Sequence, residues 1–175
     1  SYLVLDEADE MLNMGFLEDV ELIMNATNKQ KRTMLFSATM PREILRIAKK
    51  YMGEYEFVTI KKEQLTVNLT DQIYFEVSTS DKFDALCRII DIEHEFYGLV
   101  FCRTKVDVDR IGRRLVDRGY DADALHGDIS QYQRETILNK FKRKRTNVLV
   151  ATDVAARGID IIDLTHVINF SLPQD

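Results

Sequence analysis

Three carboxylates crowd into four positions at Asp6, Glu7 and Asp9, directly after the apolar run Leu3-Val4-Leu5. Burying the run is favourable, whereas packing negative charge at its end is not. Two readings fit. Acidic residues in the first turn of a helix gain roughly 0.3–1 kcal/mol each from its dipole. Alternatively, a strand-end carboxylate holds Mg²⁺ through water while its neighbour orients or deprotonates an attacking water. A hard cation and a nucleotide triphosphate would then offset the repulsion.

Other polar clusters close apolar runs in the same way. Run 33–36 leads into Ser37-Ala38-Thr39, 99–101 into Cys102-Arg103-Thr104, Ala122–Leu125 into His126-Gly127-Asp128, and Val148–Ala151 into Thr152-Asp153. Singly, each suits a helix N-cap; Thr39 would cap PREILRIAKKYM, with Pro41 in its first turn. Together they suggest two facing ligand edges, because open α/β sheets bind ligands beyond the carboxyl ends of their strands. The string ATDVAARGID is more specific. Ala155 and Ala156 permit close backbone approach, Arg157 offers a fork for phosphate or carboxylate, Gly158 allows an unusual turn, and Asp160 could accept from sugar hydroxyls.

The elements that must position these groups alternate strand and helix. Strand-like runs are expected at Tyr2–Leu5, 33–36, 57–60, 73–77, 99–101, Ala122–Leu125, Val148–Ala151 and 166–170. Between them, Phe83, Leu86 and Ile90 share a helical face, as do Val108, Ile111 and Leu115, and Ile137, Leu138 and Phe141. This alternation predicts an α/β fold of parallel sheets covered by helices. The polar stretch KKEQLTVNLTD lacks a period and divides the chain into residues 1–60, a linker at 61–71, and residues 72–175. Residues 1–60 supply few strands, so the chain is expected to begin inside a domain.

Apolar residues make up 45% of 175, enough for a core. No run approaches a membrane span of about 18 residues, so no membrane partner is expected. Cys87 and Cys102 offer neither disulfide framework nor metal spacing, and His94, His126 and His166 are scattered. A cytoplasmic setting follows. The net charge of −5 argues weakly against a nucleic-acid partner. Residues 101–145, however, hold 12 Lys and Arg against 7 Asp and Glu, a local +5, leaving 12 against 22 elsewhere. That basic middle fits either a phosphate-binding face or a solvated helix surface ending in KFKRKR.

The ordered set DEAD, SAT, VFCRT, HGDISQYQR and ATDVAARGID resembles the DEAD-box family of ATP-dependent RNA helicases over essentially the whole chain. The resemblance implies two RecA-like domains of the P-loop NTPase type, the first truncated, with ATP in their cleft and RNA across both. It implies that Asp6 is the Mg²⁺-associated carboxylate, that Glu7 activates water for attack on the γ-phosphate, and that Asp9 links this site to Ser37 and Thr39. Arg103, Thr104, Gly127, Gln131, Arg134 and Thr152 correspond to residues lining the RNA backbone. Asp160 matches the aspartate reaching the ribose, with Arg157 beside it. The expected ligands are ATP, Mg²⁺ and RNA bound largely without regard to sequence, with protein partners acting through flanking segments.

The seven glycines generate no G-x-x-x-x-G-K-[ST], so the phosphate cradle is expected outside this stretch. The adenine-reading segment and the paired-arginine motif are absent too. The chain is therefore expected to be an internal piece of a longer helicase, inactive by itself as an ATPase. An RNA clamp or annealing module without catalysis, and a DNA helicase of the wider superfamily, remain as alternatives.

Overall fold

A computed structural model describes residues 1–60, 70–159 and 161–172. The chain divides into two compact units, Ser1–Asp71 and Gln72–Asp175. Most of the 61–71 stretch, and Asp160, lie outside the described residues.

In the first unit, β1 (Tyr2–Leu5) is followed by α1 (Ala8–Asn13), α2 (Leu17–Ala26), β2 (Arg32–Leu35) and α3 (Arg42–Met52). β1 and β2 pair in parallel, Tyr2 opposite Arg32 and Leu5 opposite Leu35. Period-two alternation sends Leu3 and Leu5 inward, onto Val20 and Met24 of α2 and Ile47 of α3. α3 buries Ile44, Ile47 and Ala48 on one stripe and carries Lys49 and Lys50 in its last turn, where they suit the negative end of its dipole.

The second unit runs α4 (Lys82–Ile92), β3 (Gly98–Phe101), α5 (Lys105–Asp117), β4 (Ala122–Leu125), α6 (Gln131–Lys142), β5 (Val148–Ala151), α7 (Asp153–Ala156) and β6 (His166–Asn169). Its strands form one parallel sheet in the order β4-β5-β3-β6. β5 is buried along its whole length, as a central parallel strand must be. Val100, Val148 and Val150 face α4 and α5; Leu99, Leu149 and Ala151 face α6 and α7.

Three expectations are corrected. Stretches 57–60 and 73–77 are not strands. Their apolar side chains lie open, Ile60 at 88% and Tyr74 at 83% exposure, with no ladder partner among the described residues. Apolar alternation makes a strand only where a neighbour takes up its N–H and C=O groups. Second, β2 spans Arg32–Leu35, one residue earlier than read, because pairing with β1 sets its limits. Third, Pro41 occupies the N-cap of α3 rather than its first turn, and Thr39 does not cap it. The Thr39 hydroxyl has another acceptor.

Candidate functional site

At the exit of β1 the chain turns sharply. Glu7 adopts a left-handed conformation (φ 50°, ψ 44°) as the N-cap of α1, and its N–H donates to the Asp6 carboxylate at 2.9 Å. Both side chains are exposed. Asp9, two residues on, is 6% exposed. One of its oxygens accepts from the backbone N–H of Thr39 at 2.8 Å and from the Thr39 hydroxyl at 2.7 Å. Its own N–H donates to the Ser37 hydroxyl at 3.2 Å, and that hydroxyl donates to the Thr39 carbonyl at 2.6 Å. Burial alone would raise the Asp9 pKa. The Thr39 hydroxyl and N–H, helped by Ser37, outweigh it and hold the carboxyl at about 2. The neighbouring carboxylates thus divide, Asp9 bonded inward to the β2 exit and Asp6 and Glu7 left at the surface.

In the second unit the motif-bearing exits are neighbours, since β5 lies between β4 and β3. Thr104, after β3, caps α5 by accepting from the Asp107 N–H at 3.1 Å, and its hydroxyl donates to the Asp107 carboxylate at 2.7 Å. Arg103 beside it is exposed. Thr152, after β5, caps α7. Gly127 follows β4 in a loop tied to α5 twice, by Lys105 paired with Asp128 and by His126 Nε2 at 3.0 Å from the Asp109 carboxylate. Lys105 holds the Asp128 carboxyl below the usual range, with slight desolvation opposing it. Burial, reinforced by Asp107, pushes the Cys102 thiol up to about 12, which removes it from nucleophilic chemistry.

Ser130 and Gln133 form a reciprocal capping box that starts α6. Gln131 donates to Glu135 at 2.9 Å on the outer surface. Arg134 turns the other way, its guanidinium donating to the Ala155 carbonyl at 2.7 Å, which joins α6 to α7. Arg157 donates to Asp153 at 3.2 Å. Arg103, Thr104, Gly127 and Thr152 thus share one sheet edge, Gln131 and Arg134 lie in the helix turns beside it, and Asp160 is outside the described residues. Sequence reading missed Lys105, Asp109 and His126 as organisers of that edge. Their pairings span 17 to 23 residues and leave no local signal.

Residues 81–175 match the family of the helicase conserved C-terminal domain, and residues 1–47 match the DEAD/DEAH box helicase family. The chain belongs to the DEAD-box helicases. A probable ATP-dependent RNA helicase of Methanocaldococcus jannaschii is 56% identical over 99% of this chain and 46% of its own length. The DEAD-box ATP-dependent RNA helicase CshA of Geobacillus kaustophilus is 51% identical over 99% of this chain and 37% of its own. Among solved structures, S. cerevisiae Dbp5 bound to RNA and ADP BeF3 aligns with a TM-score of 0.86 at 30% identity, over 99% of this chain and 45% of that one. The chain spans less than half the length of these DEAD-box relatives.

Proposed function

We propose that the protein containing this chain is an ATP-dependent RNA helicase, coupling ATP binding and hydrolysis to RNA binding and local duplex unwinding. The observation that carries this reading is the division of labour among the first three carboxylates. Asp9 is spent on Thr39 and Ser37, so it joins the β1 and β2 exits. Asp6 and Glu7 stand clear of that network, available to ligands.

In this reading Glu7 accepts a proton from, or orients, the water that attacks the γ-phosphate. A Mg²⁺ ion shared between one or two carboxylates and nucleotide phosphates keeps several of its waters. The exposed Asp6, whose carboxylate already takes one backbone N–H, suits such contact through water; the ion would neutralise phosphate charge. Asp9, Ser37 and Thr39 transmit the state of the nucleotide edge to the exit of β2. Arg103, Thr104, Gly127, Gln131 and Thr152 hold the RNA backbone, with exposed groups and the first-turn N–H groups of α5 and α6. Arg134 fixes the motif loop through Ala155 and presents its remaining N–H groups alongside. Arg157 and Asp160 serve the nucleotide. The proposed setting is the cytoplasm, which two free buried cysteines suit; among the described residues no helix is long and apolar enough to cross a membrane.

The test is Glu7→Gln in the full-length protein, assayed with RNA and with DNA. Loss of a general base should lower RNA-stimulated ATP turnover by about 10²-fold or more, while nucleotide-dependent RNA binding persists. Unchanged turnover would remove Glu7 from the chemistry, and equal stimulation by DNA would overturn the choice of RNA.

A further inference from the structure

The basic middle of the chain does not form one face. Arg103 and Lys105 stand at the strand-exit edge of the second unit. α6 runs antiparallel to the strands, and its 12 residues carry the chain about 18 Å from that edge. The run Lys140-Phe141-Lys142-Arg143-Lys144-Arg145 therefore closes α6 at the opposite edge of the sheet. Phe141 alone turns inward, and the five cations are exposed. Lys140 approaches Asp123 at 3.5 Å and Lys144 approaches Asp163 at 3.9 Å. Lys142, Arg143 and Arg145 have no carboxylate partner among the described residues.

Helix stability accounts for only part of this run. Lys140 and Lys142 sit in the last turn, where the dipole favours them. Arg143, Lys144 and Arg145 follow the final helical residue. The Lys144 N–H donates to the Phe141 carbonyl at 2.8 Å and the Arg145 N–H to the Lys140 carbonyl at 3.0 Å, which closes the helix through a left-handed residue. Lys144 is that residue, at φ 53°, where glycine is the unstrained choice. Its amine lies 5.3 Å from the Tyr97 ring centre, which recovers part of the strain. The helix still ends on a side chain that its backbone disfavours, within a run in which Lys142, Arg143 and Arg145 meet no carboxylate among the described residues.

We propose that this edge is a second phosphate-binding surface, holding the backbone of RNA that extends beyond the strand exits. The proposal rests on the RNA-binding reading above and adds a separate place for the flanking strand. Residues 139–147 themselves expose no large apolar side chain; Ile162, beside the Asp163 that Lys144 approaches, is 74% exposed, but the run carries no aromatic or apolar anchor of its own of the kind on which protein interfaces depend. Dense, mobile cations suffice for a sugar-phosphate chain. Affinity should therefore rise with strand length, without regard to sequence, and fall with salt.

The experiment compares two single strands on the full-length protein, a short one that fills the strand-exit edge alone and a long one with the same core and an unstructured extension. The variant combines Lys142→Gln, Arg143→Gln and Arg145→Gln. It should bind the short strand like the wild type and lose on the order of tenfold for the long one, with a log Kobs against log[salt] slope shallower by about 2. A second variant, Lys144→Gly, deletes a cation while relieving the left-handed backbone. It should also weaken long-strand binding, with the second unit unfolding at a temperature no lower than in the wild type, so that binding loss cannot be ascribed to unfolding. Equal long-strand affinity in wild type and variants, with short-strand binding intact, overturns this surface and leaves the RNA reading standing. Failure of the wild type to bind even the short strand overturns both. Unaltered RNA binding with loss of an acidic protein partner reassigns the patch and overturns the proposal.

Discussion

Asp9 stays ionised inside the first unit because two donors from one residue converge on a single oxygen. The Thr39 hydroxyl and N–H lie at 2.7 and 2.8 Å, so the desolvation that would raise its pKa is overcome. The group titrates at about 2 folded against 3.8 for the free side chain. Its stabilising contribution is thus complete above the unfolded value and is lost as pH falls through the folded one, a window from about pH 4 to pH 2. The difference corresponds to an amount on the order of 2 kcal/mol. Thr39→Val removes one donor. It should raise the Asp9 pKa in a carboxyl ¹³C titration and shift acid unfolding to higher pH. An Asp9 titration unmoved by that substitution would contradict this account. The pairing joins residues 30 apart, so resemblance could suggest a link between DEAD and SAT while residue spacing could not. The left-handed Glu7 is equally hidden, since the tertiary closure of the β1 exit onto Phe36 adds to the local Asp6 contact there; the Ala8 N–H donates to the Phe36 carbonyl at 3.1 Å.

The strands best read from sequence are those buried on both faces, because a continuous apolar run then has one explanation. Val148–Ala151 and the run ending at Phe101 are of this kind, and they place the Thr152 and Arg103 exits side by side. Runs 57–60 and 73–77 carry similar residues yet form no strand, since pairing depends on distant chain and composition does not report it. Arg134 shows the same limit on α6: helical periodicity places it beside the partly buried Ile137 and Leu138, and only the fold supplies the Ala155 carbonyl. β3 also carries a constraint hidden in one glycine. A Cβ at Gly98 would meet ring carbons of Phe96 at 2.7 and 2.8 Å and the His166 carbonyl of β6 at 2.9 Å. The aromatic ring could shift, but the β6 backbone is fixed by its own ladder. Gly98→Ala should therefore cost roughly 1–3 kcal/mol, read as a lower midpoint in urea. A midpoint equal to the wild type would mean that β6 moves freely against β3.

The two units carry cores of unequal size, and their stabilities should follow. Among the described residues, the first unit centres on Leu5, Val20, Met24 and Ile47. The second has thirteen buried residues on one side of its sheet and seven on the other. In the 175-residue chain taken by itself, the two-stranded sheet is covered on a single face, with Tyr2 65% and Val4 53% exposed, whereas every residue of β5 is fully buried. Apolar area removed from water is the main favourable term in folding, at about 25 cal/mol per Å², so opening β1 from β2 forfeits far less than opening β5 from its neighbours. Native-state hydrogen exchange should then resolve at least two levels of protection. Amides of β1 and β2 exchange first, those of Val100 and Val150 last, and low denaturant lowers the first level before the second. The chain would not unfold in one step, and a single Tm for it would average two processes. Protection of the β1–β2 amides equal to that of Val150 would show instead that the small core is held by something beyond its own packing.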